Sequence, residues 1–175
     1  NEDTRHDDKD VYCTVLWGAT TDFTQDTFEY GGVFIDNDGD AIDTTMIQRP
    51  LPDGGMRTYR ITKDNAHGNG IWMDSTDAKR WWEPDTQWTL VQDRIGAEYV
   101  PDGNPGGVEG PAVFANHHND GGADDEWYLF VDVIPSIGYQ PMISHDLDKG
   151  WVKLESQDYF LTEHTKHGGV ASLTR

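Results

Sequence analysis

Val108-Glu109-Gly110-Pro111-Ala112-Val113-Phe114 is a short apolar run entered through a single acidic residue. Two other stretches open in a similar way: Ile42-Asp43-Thr44-Thr45-Met46-Ile47 before it, and Lys166-His167-Gly168-Gly169-Val170-Ala171 after it. Asp43 and Glu109 are 66 residues apart, and Glu109 and His167 are 58 apart. Between these openings lie further short runs at residues 57–61, 70–73, 88–92, 127–133, 140–143 and 151–154, with two more upstream at 11–16 and 32–35. They are rich in Val, Ile, Tyr, Phe and Trp and end in clusters of Asp, Asn, Gly or Pro, which is the punctuation of strands and turns. Nineteen Gly and eight Pro are spread along the whole chain. No stretch carries a sustained helical stripe, and residues 77–82 alone could form a turn of helix. The prediction is an all-β fold, and four-stranded antiparallel units at this period are blades of a β-propeller.

Composition narrows the function before any site is considered. Thirteen basic against 32 acidic residues leave a net charge of -19 on 175 residues. Such a chain repels phosphate backbones and anionic bilayers, so neither a nucleic acid nor a membrane is an expected partner. High net charge also suits disorder, but seven Trp, seven Tyr and six Phe are side chains that fold by burial. The single cysteine, Cys13, sits among apolar neighbours and reads as a buried thiol.

In a propeller the first strand of each blade lies innermost, so Asp43, Glu109 and His167 are expected at one end of the central channel. The second strand runs back to the same mouth, which brings Lys63, Asp64 and Asp132 nearby, with Tyr139 at the start of a third strand. Two carboxylates facing across an apolar-walled funnel can divide acid–base labour, burial favouring the protonated form of one and hydrogen bonding the ionised form of the other. Glu109 suits the acid because Val108, Pro111 and Val113 surround it. The competing reading is that both carboxylates satisfy backbone amides. His167 is open to three roles: a metal ligand, an orienter of a channel water, or a packed ring. Calcium prefers oxygen ligands, so one His with waters is an unusual set for it.

Other patterns carry less. Residues 36–40, Asp-Asn-Asp-Gly-Asp, lack the glycine and glutamate spacing of a calcium loop and read as a hairpin turn. His117-His118 reads as a solvated loop, and Trp81-Trp82 as exposed-loop or inter-blade packing. No phosphate-binding Gly loop, nucleophile elbow or His-Glu-x-x-His occurs.

These residues resemble glycoside hydrolase family 43, five-bladed propellers acting mainly on arabinose- and xylose-containing glycans, from Val11 onward. Residues 42–47, 59–64, 128–132 and 138–142 are similar to its arabinanase-like and arabinofuranosidase-like members. The resemblance implies that Glu109 is the general acid and that Asp43 orients it and sets its acidity. It also implies that His167 lies on the channel axis with a calcium ion or a water. The substrate would be an oligo- or polysaccharide cleaved with inversion at arabinofuranosyl or xylosyl linkages, with Lys63, Asp132, Tyr139 and Arg60 contacting sugar. In that frame, residues 11–35 are the end of blade two, 42–92 blade three, 108–155 blade four and 166–175 the start of blade five. Residues 1–175 then form one incomplete propeller domain. The family's catalytic base, an Asp on the first strand of blade one, has no counterpart, because no such strand is expected before Val11. A complementing N-terminal propeller segment is therefore expected to supply it, and this chain alone to be inactive. The alternative is a non-catalytic carbohydrate-binding propeller.

Overall fold

The computed structural model describes residues 2–7, 10–22, 27–36, 40–116, 125–162 and 165–170, with backbone alone for residues 2–7 and 10–14. It is an all-β arrangement of three antiparallel sheets, each laid down in chain order. The first joins β1 (Glu2–Asp7), β2 (Asp10–Ala19) and β3 (Glu29–Ile35). The second joins β4 (Ala41–Pro50), β5 (Met56–Asp64), β6 (Gly70–Thr76) and β7 (Thr89–Ile95). The third joins β8 (Val108–Ala115), β9 (Trp127–Val133), β10 (Gly138–Ser144) and the short edge strand β11 (Val152–Lys153).

Alternation along the strands decides what each face meets. On β9, Trp127, Leu129, Val131 and Val133 are buried, while Tyr128 and Phe130 lie half-buried on the opposite face. The buried face meets β5 and β6: Tyr59, Ile61, Ile71, Met73 and Ile95 form one core with Val108, Leu129, Val131 and Met142. Fully burying an aliphatic side chain of this size contributes about 1.5–3 kcal/mol, so this seam fixes the second sheet against the third. The first sheet meets the second through a smaller cluster, Val15, Ile35 and Ala41 with Phe34 and Trp72. Aromatic contacts extend that second seam: Trp17 lies 6.3 Å from Trp82, and Phe34 lies 5.6 Å from Trp81 and 6.0 Å from Trp88. Trp81 and Trp82 thus serve packing between sheets.

Several expectations change. A strand, β1, does precede Val11 and pairs with β2 from Glu2↔Val15 to Asp7↔Asp10. Residues 79–82 form turns rather than helix, with Trp81 and Trp82 held in the aromatic seam. Of the expected hairpin turn at residues 36–40, residues 37–39 lie outside the described residues; the strands on either side belong to different sheets, β3 pairing with β2 and β4 with β5. Residues 117–124, including His117-His118, lie outside the described residues, as do 171–175 and the side chain of Cys13; residues 169–170 form no strand.

Register supplies the detail on which the site depends. Ile42 pairs with Lys63 and Thr45 with Ile61, so Asp43 and Thr44 together oppose one residue. Glu109 pairs with Asp132 and Ala112 with Phe130, so Gly110 and Pro111 do the same. Each is a β-bulge at the entrance of the first strand of its sheet. Asp43 therefore corresponds to Gly110, 67 residues on, rather than to Glu109.

Candidate functional site

A one-residue offset along a strand normally sends a side chain to the opposite face. The bulges undo that. Asp43 has φ 53, the left-handed region that a short polar side chain tolerates better than most. This turns its carboxylate toward β8, where Oδ2 accepts the Gly110 N–H at 3.2 Å. A second side-chain bond, Val113 N–H to Thr45 Oγ1 at 3.4 Å, joins the same two strands further along. Gly110 itself has φ 56, and a Cβ there would lie 2.0 Å from His167 Cδ2. Glycine is required so that the imidazole can lie against the backbone.

His167 is the centre of the cluster. Its Nε2 is 3.4 Å from Asp43 Oδ2 and 3.8 Å from Glu109 Oε1, while Nδ1 is 3.3 Å from Asp132 Oδ2. The Asp43 and Glu109 side chains are 26% exposed and that of Asp132 is 1% exposed. Tyr139 closes one side. Its hydroxyl lies 3.1 Å from the Gly110 carbonyl and 2.9 Å from that of Gly168, and it accepts the Gly168 N–H at 2.6 Å. Burial raises the Tyr139 pKa, the Gly168 hydrogen bond opposes that, and the Asp132 and Asp43 charges add to the rise. The phenol therefore stays a donor.

The structure brings Asp43, Glu109, Asp132, Tyr139 and His167 together, and it places Lys63 and Arg60 elsewhere. Lys63 is buried beneath the cluster, where its ammonium donates to the carbonyls of Gly106 at 3.0 Å and Val108 at 2.8 Å. Burial lowers its pKa, and the carboxylates of Glu109, Asp64 and Asp43 partly restore it. It binds the strand entrance that carries Glu109. Arg60 faces the other seam, paired with Asp74 through Nε at 2.8 Å and Nη2 at 2.9 Å and lying 4.0 Å from the Trp88 ring centre. Alternation on β5 sends Lys63 and Arg60 into different seams, where both make bonds within the protein. Asp132 is likewise turned inward. Lys166, absent from the expected site, donates to Asp132 Oδ1 at 3.1 Å and to the Pro135 carbonyl at 3.3 Å. The one sequence signal for it is its place directly before His167.

One ligand atom each from Glu109, Asp132 and His167 lies within 4.8 Å of the others, and Asp132 Oδ2 is buried with no hydrogen-bond partner among the described residues. Two carboxylate oxygens and one imidazole nitrogen suit a divalent cation that keeps several waters.

Two carboxylates from different sheets, with an imidazole within 4 Å of both, have the composition of a hydrolytic site. No curated protein matches the chain. The sequence signature of a family described as a probable glycosyl hydrolase domain, related to glycoside hydrolase family 43, matches residues 1–175. That match takes in all three sheets and every residue of the cluster, and the chain belongs to this glycosyl hydrolase family.

Proposed function

We propose that this protein is an inverting glycosidase acting on arabinofuranosyl linkages of plant-type polysaccharides, with xylosyl linkages as the second choice. We read its three sheets as successive blades of a five-bladed propeller. The convergence of Asp43 and Glu109, from different sheets, with His167, from the segment after β11, on one point carries the reading. Glu109 Oε would give its proton to the departing glycosidic oxygen as the bond to the anomeric carbon breaks. Asp43, held by the Gly110 N–H, fixes the negative potential beside the acid. Tyr139 locks the Gly168 segment, which carries His167, against the Gly110 backbone. A cation, calcium in this reading, would be held by His167 Nε2 with Glu109 and would supply positive charge and ordered water on the axis. The carboxylate that activates water comes, in this reading, from a complementing propeller segment, so turnover is measured on the full-length protein.

The test is Glu109→Gln with two arabinofuranosides of differing leaving group. Loss of the proton donor should cut turnover about 100–10,000-fold for a poor alkyl leaving group and far less for a nitrophenolate. Equal losses for both would refute the assignment. Sugar binding with no turnover by the unaltered protein would favour a carbohydrate-binding module instead.

A further inference from the structure

We infer that Asp132, braced by Lys166, is a positioning residue that selects the Nδ1–H tautomer of His167, so that Nε2 faces Asp43 and Glu109 as a hydrogen-bond acceptor. The starting point is a charge-balance problem on β9. Asp132 is 1% exposed, and a buried carboxylate needs partners for both oxygens. Oδ1 has the Lys166 ammonium at 3.1 Å. Oδ2 has no hydrogen-bond partner among the described residues and faces His167 Nδ1 at 3.3 Å.

A proton on Nδ1 supplies the missing donor after a small turn of the ring. The other tautomer would set an imidazole lone pair against a carboxylate lone pair and leave a buried charged oxygen unpaired, which is the more costly arrangement. Turning the ring over gives no escape, because it would set the carbon Cδ2 against Oδ2 and leave that oxygen unpaired still. With Nδ1 committed to Asp132, Nε2 is left bare, 3.4 Å from Asp43 Oδ2 and 3.8 Å from Glu109 Oε1. Asp43 Oδ2 already accepts the Gly110 N–H. Nε2 is then an acceptor for a water, a sugar hydroxyl or the hydrogen of the acid, and a ready donor atom for a cation. A carboxylate behind an imidazole, fixing its tautomer and raising its basicity, is a known way of preparing such a nitrogen. The role given to Nε2 rests on the glycosidase reading, whereas the tautomer does not.

The experiment is long-range proton–nitrogen NMR of the full-length protein with labelled histidine, metal-free in chelator at pH 8. Seven histidines are present, and the His167 ring is assigned by the signals lost in His167→Gln. The expected spectrum is a neutral ring protonated at Nδ1. A neutral ring protonated at Nε2 overturns the inference. In Asp132→Asn the side-chain amide can donate to the ring, so the tautomer ratio should move toward Nε2–H by about 10-fold or more. Turnover should fall about 100-fold through kcat with KM nearly unchanged, as for a misplaced group. An Asp132→Asn protein that keeps the Nδ1–H tautomer also overturns it. The spectrum of the unaltered protein stands even where the variant does not fold. A chain showing the tautomer but hydrolysing no glycoside sinks the glycosidase reading alone.

Discussion

Replacing Gly110 with alanine separates what the backbone requires from what the site requires. The residue has φ 56, which costs an alanine about 1–2 kcal/mol relative to glycine. The added methyl would lie 2.0 Å from His167 Cδ2 and 2.1 Å from Nε2. Ordinary contact begins at 3.4 Å, so the ring must retreat by about 1.4 Å. The His167 side chain is 44% exposed and can swing into solvent, so the clash adds little to the strain. The expected stability loss is therefore only about 1–2 kcal/mol, or a fall of about 2–8 °C in Tm for a chain of this size. Activity should suffer far more, because a displacement of about 1 Å in a catalytic arrangement costs on the order of 100-fold. Urea denaturation and glycoside turnover, with an arabinofuranoside as the proposed substrate, measure the two quantities, and a His167→Ala background completes the cycle. In that background Gly110→Ala should retain its stability cost and lose its effect on turnover. Full activity in the single variant would refute the placement of His167. A stability loss above about 4 kcal/mol, beyond left-handed strain alone, would show that the ring is structural and cannot move.

Asp64, Asp77 and Asp148 extend the reasoning to pH. Burial would raise Asp64, but the His67 and Asn69 hydrogen bonds outweigh it, and hydrogen bonding to Arg57 lowers Asp77. Burial also opposes the Tyr59, Arg57 and Arg49 interactions that hold Asp148 down. All three are lower than 3.8 in the folded chain, so the unfolded chain binds more protons in acid. Their stabilisation is complete above that value and is lost as the pH falls through the folded values. Urea midpoints between about pH 2 and 6 should fall less steeply in Asp148→Asn. Gly70→Ala should destabilise by about 2–4 kcal/mol, because φ is 79 and its Cβ would lie 2.5 Å from the Pro105 carbonyl oxygen, a backbone atom with little freedom to move. Lys63→Met should cost about 1–3 kcal/mol through the orphaned carbonyls of Gly106 and Val108, read by chemical denaturation. The unaltered protein's advantage should grow toward pH 10.5, since its folded lysine releases a proton first.

The strands were legible because turn residues bound each apolar run, and the runs at residues 57–61 and 127–133 fall inside β5 and β9. The convergence of Asp43 and Glu109 was also legible, though through an alignment one residue out of phase. What repaired it was invisible in composition: a bulge and a left-handed backbone at Asp43 redirect a side chain that simple alternation would send elsewhere. The roles of Lys63 and Asp132 were not legible, since both follow from which seam a second strand presents to the next sheet. Corresponding positions on β5 and β9 hold them. One binds the entrance of β8 and the other the Lys166-His167 segment.

Asp43 arrives on β4, Glu109 on β8 and His167 on the segment after β11, so no sheet owns the chemistry. Each sheet can close its ladder from neighbouring chain alone, and its circular-dichroism signal would then be complete. Such a chain would still be catalytically silent, because the carboxylates and the imidazole meet only when separate ladders dock. Recovery of hydrolysis after dilution from denaturant would therefore time the docking of preformed sheets, a late event that backbone spectroscopy passes over.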